Sequence, residues 1–127
     1  MRQLIHAADS ATWIAEDGVQ MAGFAIVKWG ETTEVGAAYI PTIEVTSAER
    51  GRGVGAELLR CCEESAHLAG STLIWLHVDE QNAGAIRLYE SHGYRCEGKE
   101  EHFYAHNHAG LIYCKRLDGL CSLQKTP

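Results

Sequence analysis

The sequence predicts an α/β domain in which mostly antiparallel strands surround one central β-α-β unit. Two strand-like runs flank an Asp17-Gly18 pair, the apolar spacing becomes helical after Gly51, and a short apolar run at residues 72–78 separates two helical patterns. The strand before the first helix and the run after it are therefore expected to pair in parallel. Folds of this kind bind their ligands beyond the carboxyl ends of such strands.

The first part of the chain is predicted to form a three-stranded meander. Residues 1–10 are weakly patterned and expected to be loosely ordered. Residues 11–16 and 19–29 are rich in aromatic and β-branched residues, and the Asp-Gly pair between them is typical of a two-residue hairpin turn. Residues 35–45 form the third strand, in which Pro41 requires an edge, a bulge or a splay.

Apolar residues recur at helical spacing over about residues 53–69, and Gly70 follows as a helix terminator. The nearly continuous apolar run at 72–78 is typical of a strand covered on both faces. Asn82 can cap a second helix that stops before Gly93. Both helices are expected to pack on the faces of the sheet.

Two further strands, at residues 94–102 and 111–117, form a closing hairpin. The polar tail at 118–127 is expected to be loose. Neither repeats nor a linker divide the chain, so residues 1–127 are predicted to be one domain.

Composition narrows the function. The 127 residues are 46% hydrophobic and 22% charged, which excludes a disordered chain. Lys and Arg number 11 against 17 Asp and Glu, and a net charge of −6 disfavours nucleic acid while suiting a cationic substrate. No apolar stretch approaches the ~20 residues of a membrane helix. The protein is expected to be cytoplasmic, with no nucleic-acid or membrane partner.

Neither the cysteines nor the histidines indicate a metal site. The five cysteines follow no metal-ligand spacing, and Cys61 and Cys62 are neighbours on a predicted helix, so reduced thiols are expected. The pattern His102-x-x-x-His106-x-His108 lies in a loop without paired strands or a helix to fix its geometry. We therefore expect no metal.

A glycine-rich loop opens the first helix with the sequence Arg50-Gly51-Arg52-Gly53-Val54-Gly55-Ala56. Glycines let the backbone approach a ligand closely, and the free N–H groups at a helix start suit phosphate oxygens. Two arginines add positive charge that a structural turn does not need. The loop therefore predicts an anion site, with a flexible structural turn as the alternative.

The same loop also satisfies the dinucleotide pattern G-x-G-x-x-A, and Asp79 ends the following strand. Against a dinucleotide, five residues separate Val45 from the first glycine, and the chain has no room for a second mononucleotide-binding half. The loop also lacks the Lys-Ser or Lys-Thr of a nucleotide triphosphate loop.

The loop resembles the acetyl-coenzyme A signature of the GNAT superfamily of N-acetyltransferases, through Arg50-x-x-Gly53-x-Gly55 after Ile43-Glu44-Val45. The superfamily's next motif is similar to Asn82, Ala85-Ile86, Leu88-Tyr89 and Gly93-Tyr94. Two further segments resemble those of protein Nα-acetyltransferases, including the bacterial ribosomal-protein alanine type. These segments are Trp75-Leu76-His77-Val78 and His102-Phe103-Tyr104.

The resemblance implies a GNAT-like fold that uses acetyl-coenzyme A as co-substrate, without a metal. It implies that loop amides hold the coenzyme pyrophosphate and that the pantetheine arm lies in a gap between the strands around the first helix. We expect Pro41 to help open that gap. The implied coenzyme contacts are Val45, Arg50, Gly51, Arg52, Gly53, Val54, Gly55, Ala56 and Asn82.

The resemblance also implies catalytic roles. Tyr89 matches a tyrosine near the thioester sulfur, and a phenol with pKa about 10 can act as general acid. His77 lies where related enzymes carry a histidine or glutamate base, and Tyr39 where they carry a residue that orients a water. Phe103 and Tyr104 match aromatic residues beside the substrate backbone. Ordinary packing is the alternative for each.

The expected activity is transfer of acetyl to a primary amine, in the first place a peptide α-amine. An α-amine has a pKa of about 7.7 to 8.0 against about 10.4 for lysine, so an imidazole base deprotonates it more readily. A small-molecule amine (polyamine, amino acid or antibiotic) and a non-catalytic acyl-coenzyme A-binding domain remain alternatives.

Superfamily members usually carry a strand and one or two helices before the meander, whereas about ten residues precede the first predicted strand here. The expectation is a shortened N-terminus that leaves an apolar edge. A second copy of the chain could cover that edge, so a homodimer is predicted.

Overall fold

The computed structural model of the chain describes residues 2–30 and 36–117. Its strands and α-helices are β1 (Arg2–Ala7), β2 (Ser10–Asp17), β3 (Gln20–Lys28), β4 (Ala37–Val45), α1 (Val54–Leu68), β5 (Leu73–Asp79), α2 (Ala83–Ser91), β6 (Arg95–Glu100) and β7 (Gly110–Arg116). Short 3-10 helices lie at Ser47–Glu49 and Ala105–Asn107. The predicted α/β fold is confirmed. No α-helix in the described ranges is both long and apolar enough to cross a bilayer.

All seven strands belong to one sheet, in the order β1-β2-β3-β4-β5-β7-β6. Neighbouring strands are antiparallel except β4 and β5, which are parallel and flank α1 as the predicted β-α-β unit. The predictions for residues 31–35 and 118–127 concern positions outside the described residues.

The start of the meander differs from the prediction in two places. Residues 2–7 form strand β1 beside β2, where no element was expected. The hairpin loop is Gly18-Val19 instead of Asp17-Gly18, since Asp17 pairs with Gln20. The reason is local: Gly18 adopts φ 66°, and placing it first in the loop leaves Asp17 in the strand.

Pro41 interrupts the pairing of β4 with both of its neighbouring strands. On the β3 side, Thr42 pairs with Ile26 and Tyr39 with Lys28, so the register shifts as in a β-bulge. On the β5 side, the parallel ladder ends at Ile40, one residue before the proline. The predicted bulge and splay are both present, and beyond them the ends of β4 and β5 separate.

Both helices lie on the same face of the sheet. The Tyr113 hydroxyl of β7 donates to the Glu90 carboxylate of α2 at 2.8 Å, and Tyr113 pairs with Leu76 of β5. Leu76 packs in the core with Leu58 of α1. Because successive side chains of a strand alternate between faces, His77 points to the opposite face, which carries no α-helix in the described part of the chain.

The expectation that β5 is covered on both faces was therefore wrong. Three of its side chains are buried in the core beneath the helices, namely Ile74, Leu76 and Val78. The alternate positions are partly exposed, namely Leu73, Trp75, His77 and Asp79. The apolar run predicts a buried strand, but it does not show that the second face is a half-open surface of aromatic rings.

The helix termini follow the sequence closely. Gly53 precedes α1 with φ 81°, and Gly70 follows it with φ 94°. The Asn82 side chain accepts a hydrogen bond from the Ala85 amide at 3.1 Å and so caps α2. Gly93 adopts φ 90° after that helix. Gly53 allows the left-handed turn that begins α1, and Gly70 and Gly93 allow the turns that follow α1 and α2.

We expect Gly23→Ala to lower the free energy of unfolding by about 1–3 kcal/mol, the range for an overpacked site. A β-carbon at Gly23 would lie 2.5 Å from the Glu44 carbonyl oxygen and 3.2 Å from Leu58 Cδ1. Gly84→Ala is the control, because its added carbon meets only Asn82 Oδ1 at 3.9 Å. Urea unfolding followed by circular dichroism measures both variants, and equal midpoints would contradict the prediction.

Candidate functional site

The glycine-rich loop leaves donor groups free at the start of α1. Gly51 and Gly53 have φ 83° and 81°, which explains why glycine occupies both positions. The first intrahelical bond runs from the Glu57 amide to the Gly53 carbonyl at 3.1 Å. The amides from Gly53 to Ala56 therefore have no helical carbonyl as partner. A helix start of this kind attracts anions.

These amides border a groove of about 700 Å³ between the end of β4, the loop, α1 and α2. The groove is lined by eight of the nine predicted coenzyme contacts, namely Val45, Arg50, Gly51, Gly53, Val54, Gly55, Ala56 and Asn82. A β-carbon at Gly55 would lie 3.2 Å from Leu88 Cδ2, so this glycine lets α1 and α2 approach each other at the groove.

Arg52 lies away from the groove. It lines a separate depression together with Glu16 and Asp17 of the β2–β3 hairpin. Its guanidinium is 4.0 Å from the Glu49 carboxylate. Of the two loop arginines, the structure brings only Arg50 to the groove.

Arg87 lines the groove without having been predicted. It lies on α2, three residues after Gly84 and one before Leu88, which also line the groove. Helical spacing places these three positions on one face, so the signal was present in the sequence. The groove therefore has cationic side chains from both the loop and α2.

Tyr89 lines the same groove from α2 and is 4% exposed. Burial raises its pKa well above the ordinary value for tyrosine, and the proximity of Tyr104 and Glu44 adds to the rise. The hydroxyl is therefore protonated throughout the physiological pH range. It can donate a hydrogen bond to a group in the groove.

The other two predicted catalytic residues, Tyr39 and His77, lie in an aromatic cluster on the opposite face of the sheet, together with the predicted substrate-binding residues. Tyr39 and Trp75 have ring centroids 4.4 Å apart, and Trp75 and His77 have centroids 5.4 Å apart. Phe103 stacks on His77 at 3.9 Å with an interplanar angle of 11°, and Tyr104 meets Phe103 edge-on at 4.9 Å. We call these five residues the aromatic cluster.

His77 has a partner at each ring nitrogen. Nδ1 lies 2.8 Å from the Tyr39 hydroxyl, and Nε2 lies 3.4 Å from Glu100 Oε1. Burial raises the pKa of Tyr39, and the nearby Glu100 charge raises it further. Glu100 escaped the sequence prediction because it lies on β6, and no local pattern connects it to a histidine on β5.

Phe103 and Tyr104 are carried by the loop at residues 101–109, which is fixed at several points. His102 and Asn107 both adopt left-handed φ, at 59° and 63°, and the His102 Nδ1 and Asn107 Oδ1 atoms are 3.2 Å apart. The Tyr104 amide donates to the His108 carbonyl at 2.9 Å.

The base of this loop is attached to the end of β5. His108 Nδ1 lies 2.9 Å from Asp79 Oδ2, and the Ala109 amide donates to the Glu80 carboxylate at 3.0 Å. The Gln81 amide and His108 hold the pKa of Asp79 below its usual range. Asp79, which the dinucleotide alternative noted at the end of this strand, thus anchors a loop.

Within the described residues, no group of three or more His, Cys, Asp or Glu side chains could hold a metal ion. The cysteines in that part of the chain are free thiols, namely Cys61, Cys62, Cys96 and Cys114. Burial raises the pKa of Cys62 to about 12, so this thiol is not a nucleophile near neutral pH. Cys121 lies outside the described residues.

The model of the acetyltransferase (GNAT) family matches residues 1–94. The chain is 35% identical over 99 residues to a streptothricin acetyltransferase of Streptomyces lavendulae, covering 76% of this chain and 51% of that protein. It is 30% identical over 105 residues to the N-alpha-acetyltransferase RimI of Mycobacterium tuberculosis, covering 83% of this chain and 65% of that protein.

Among solved structures, a nourseothricin acetyltransferase aligns with a TM-score of 0.77 and 28% identity. The alignment covers 86% of this chain and 66% of that structure. The chain thus spans about half of the first relative and about two thirds of the second. The named relatives include enzymes for an antibiotic and for protein α-amines, so the family does not fix the acceptor.

We expect Gly110→Ala to separate Phe103 from His77. A β-carbon at Gly110 would lie 2.9 Å from Phe103 Cδ2 and 3.0 Å from Phe103 Cβ, so the ring must move. Ring-current shifts of the His77 ring protons, measured by NMR, should decrease. Gly98→Ala on the same hairpin is the control, because its nearest contact is an ordinary 3.5 Å to Ile112. Unchanged His77 shifts in Gly110→Ala would contradict the stacking.

Proposed function

Because the chain belongs to the acetyltransferase (GNAT) family, we propose that it transfers an acetyl group from acetyl-coenzyme A to a primary amine. The observation that carries the proposal is the end of the β4–β5 ladder at Ile40 and Leu76. Beyond it the two strands separate, with the groove on the helix side and the aromatic cluster on the other face. A thioester lying in this opening would meet an amine that approaches from the cluster.

The groove fits the coenzyme by the chemistry of its donors. The free amides from Gly53 to Ala56 suit the oxygens of a diphosphate, and Arg50 and Arg87 add positive charge at the rim. Val45 lies past the last β4–β5 pair, so its main chain on that side is available to the amides of a pantetheine arm. Arg52, which the resemblance includes, is left out of this proposal.

In the proposed reaction the amine nitrogen forms a bond to the thioester carbon, and the carbon–sulfur bond breaks. The electron pair goes to sulfur, and Tyr89 donates a hydrogen bond to the thiolate. Full proton transfer is uphill, because burial raises the pKa of Tyr89 whereas a thiol has a pKa of about 8.5. Tyr89 therefore stabilises the leaving sulfur as a donor, and solvent supplies the proton.

The acceptor ammonium must lose one proton before it attacks, and the nitrogen loses a second proton to solvent as the amide forms. Both nitrogens of His77 already have partners, so we assign the contact with the amine to the Tyr39 hydroxyl. The amine proton moves to the Tyr39 oxygen, directly or through a water, while the Tyr39 proton moves to His77 Nδ1. His77 is thus the base, and Tyr39 is its contact with the substrate.

For the acceptor, a peptide α-amine is the first candidate. Phe103 is 39% exposed and Tyr104 is half-buried, and together they form a wall of rings beside His77. Flat aromatic surfaces of this kind suit an extended backbone. The protein α-amine activity in the name of the Mycobacterium tuberculosis relative agrees with this candidate.

A small cationic amine is the second candidate. Carboxylates surround the cluster, with Glu100 and Glu101 exposed at the end of β6 and Asp79 at the end of β5. Lys99 is the cation beside them, and it lies 3.5 Å from both Glu80 and Glu101. An acidic rim favours a cationic acceptor such as the antibiotic in the name of the Streptomyces lavendulae relative. A homodimer and a cytoplasmic location stay predictions from the sequence.

We expect Arg50→Ala to weaken acetyl-coenzyme A binding about tenfold, which corresponds to about 1.4 kcal/mol. The lost side chain lines the groove and is exposed, so the loss is smaller than for a buried charge. Arg60→Ala is the control, since Arg60 pairs with Glu57 and Glu64 along α1. Isothermal titration calorimetry measures both. Equal affinities in the two variants would contradict the groove as the coenzyme site.

Release of free thiol from acetyl-coenzyme A tests the transfer itself. We expect release with peptides that carry a free α-amine, less with spermidine or streptothricin, and none with N-terminally blocked peptides lacking lysine. The reverse order would select the second candidate. Coenzyme binding without thiol release for any amine would select the non-catalytic alternative.

With the preferred acceptor, Tyr89→Phe should lower kcat about a hundredfold, the usual loss for one transition-state donor. Tyr113→Phe is the matched control, because its hydroxyl bonds Glu90 and it does not line the groove. A kcat for Tyr89→Phe within twofold of the control would remove Tyr89 from the mechanism.

A further inference from the structure

The groups around His77 favour one tautomer of its ring. The imidazole side chain is 8% exposed, with Phe103 stacked on its plane and Tyr39 at Nδ1. The group at Nε2 is the Glu100 carboxylate, at 3.4 Å. An ionised carboxylate can only accept a hydrogen bond, so Nε2 must donate. In the neutral ring Nδ1 is then an acceptor, and the Tyr39 hydroxyl donates to it.

The backbone allows Glu100 to reach the ring. His77 pairs with Ile112 of β7, and Ile112 pairs with Gly98 of β6. Glu100 lies two residues beyond Gly98 on the same strand, so its side chain is on the face of the sheet that carries His77. The carboxylate of Glu100 is 53% exposed and stays in contact with water.

We propose that Glu100 is a positioning residue for the transfer reaction, which holds His77 in the tautomer that accepts a proton from Tyr39 and stabilises the imidazolium that results. The proposal rests on the proposed function. Glu100 lies on the far side of the base from the acceptor amine.

The proton transfers balance as follows. The amine loses one proton to the Tyr39 oxygen, and Tyr39 passes its own proton to His77 Nδ1, so Tyr39 ends neutral. The ring then carries protons on both nitrogens and one positive charge, opposite the negative charge of Glu100. The Nε2 proton leaves to water at the exposed carboxylate, and a proton shift within the ring through solvent restores the starting tautomer. Glu100 remains ionised throughout, as the carboxylate does in a Ser-His-Asp triad.

Other titratable groups near the ring do not share this role. From β4 and the loop, Tyr39 and Tyr104 carry hydroxyls, and burial raises the pKa of Tyr104 to about 12. Asp79, two residues along β5, is held by His108 and the Gln81 amide. On β6, Lys99 contacts Glu101 and Glu80, and the residue of β7 opposite His77 is apolar. The charge that faces Nε2 is that of Glu100.

The first test compares Glu100→Gln with Glu97→Gln, which removes one negative charge from another exposed position of the same strand. We expect Glu100→Gln to lower kcat on the order of tenfold, less than in a triad because Glu100 is half exposed. The KM for acetyl-coenzyme A should stay unchanged. Glu97→Gln should change neither quantity.

Two results would overturn the proposal. One is a Glu100→Gln enzyme with the wild-type kcat. The other is an equal loss of kcat in both variants, which would indicate a general effect of surface charge. A purely structural role would lower the melting temperature and leave the tautomer of His77 unchanged, so thermal unfolding of both variants is measured alongside.

The second test does not depend on turnover. Nitrogen-15 NMR of the imidazole ring at neutral to mildly alkaline pH should show the Nε2–H tautomer for His77 in the wild type, and a mixture of tautomers in Glu100→Ala. A dominant Nδ1–H tautomer in the wild type would overturn the proposal. If no amine supports turnover, the proposed function fails, and this measurement still decides the role of Glu100 at the ring.

Discussion

The structure depends on one interruption in its sheet. Every neighbouring pair of strands is joined by backbone hydrogen bonds, and the β4–β5 ladder ends at Ile40 and Leu76. The residue after Ile40 is Pro41, which has no N–H to donate and which lies at a bulge. Because the ends of these strands separate, the groove on the helix side and the aromatic cluster on the other face can meet. A continuous ladder would keep the two sets of residues apart.

The two sides of this opening are built in different ways. On the helix side the working groups are mainly backbone amides, exposed by glycines with positive φ at the start of α1. On the other side they are rings, which come from β4, β5 and the loop before β7 and hold one another by stacking. Backbone amides suit the diphosphate of the proposed coenzyme, which is the same molecule for every acceptor. Side chains suit the proposed acceptor, because they can be substituted without altering the fold.

The sequence predicted the elements whose signals are local. Glycines at 53, 70 and 93 and the cap at Asn82 located both helices, and Pro41 located the bulge and the splay. Eight of the nine predicted coenzyme contacts line the groove for the same reason, since a loop and the helix it opens form one continuous segment. Arg52 diverges because it lies between two glycines with positive φ, Gly51 and Gly53, at which the chain turns.

The sequence failed where the answer depends on contacts between distant segments. Strand β1 carries little pattern of its own and is defined by pairing with β2. The apolar run in β5 predicts a buried strand, but it does not predict that both helices pack on the same face of the sheet. Glu100 lies 23 residues from His77 on another strand, and only the register of β6, β7 and β5 brings them together.

The loop that carries Phe103 and Tyr104 also bears on how tightly an acceptor can be held. It contains two left-handed non-glycine residues, a closed pair between His102 and Asn107, and an anchor at Asp79. Ordering a flexible backbone costs about 1–2 kcal/mol per residue in conformational entropy. This loop is already ordered in the folded protein, so binding does not have to order it. If an acceptor binds there as proposed, it meets a preorganised wall, so more of its contact energy appears as affinity and an acceptor of the wrong shape gains little by induced fit.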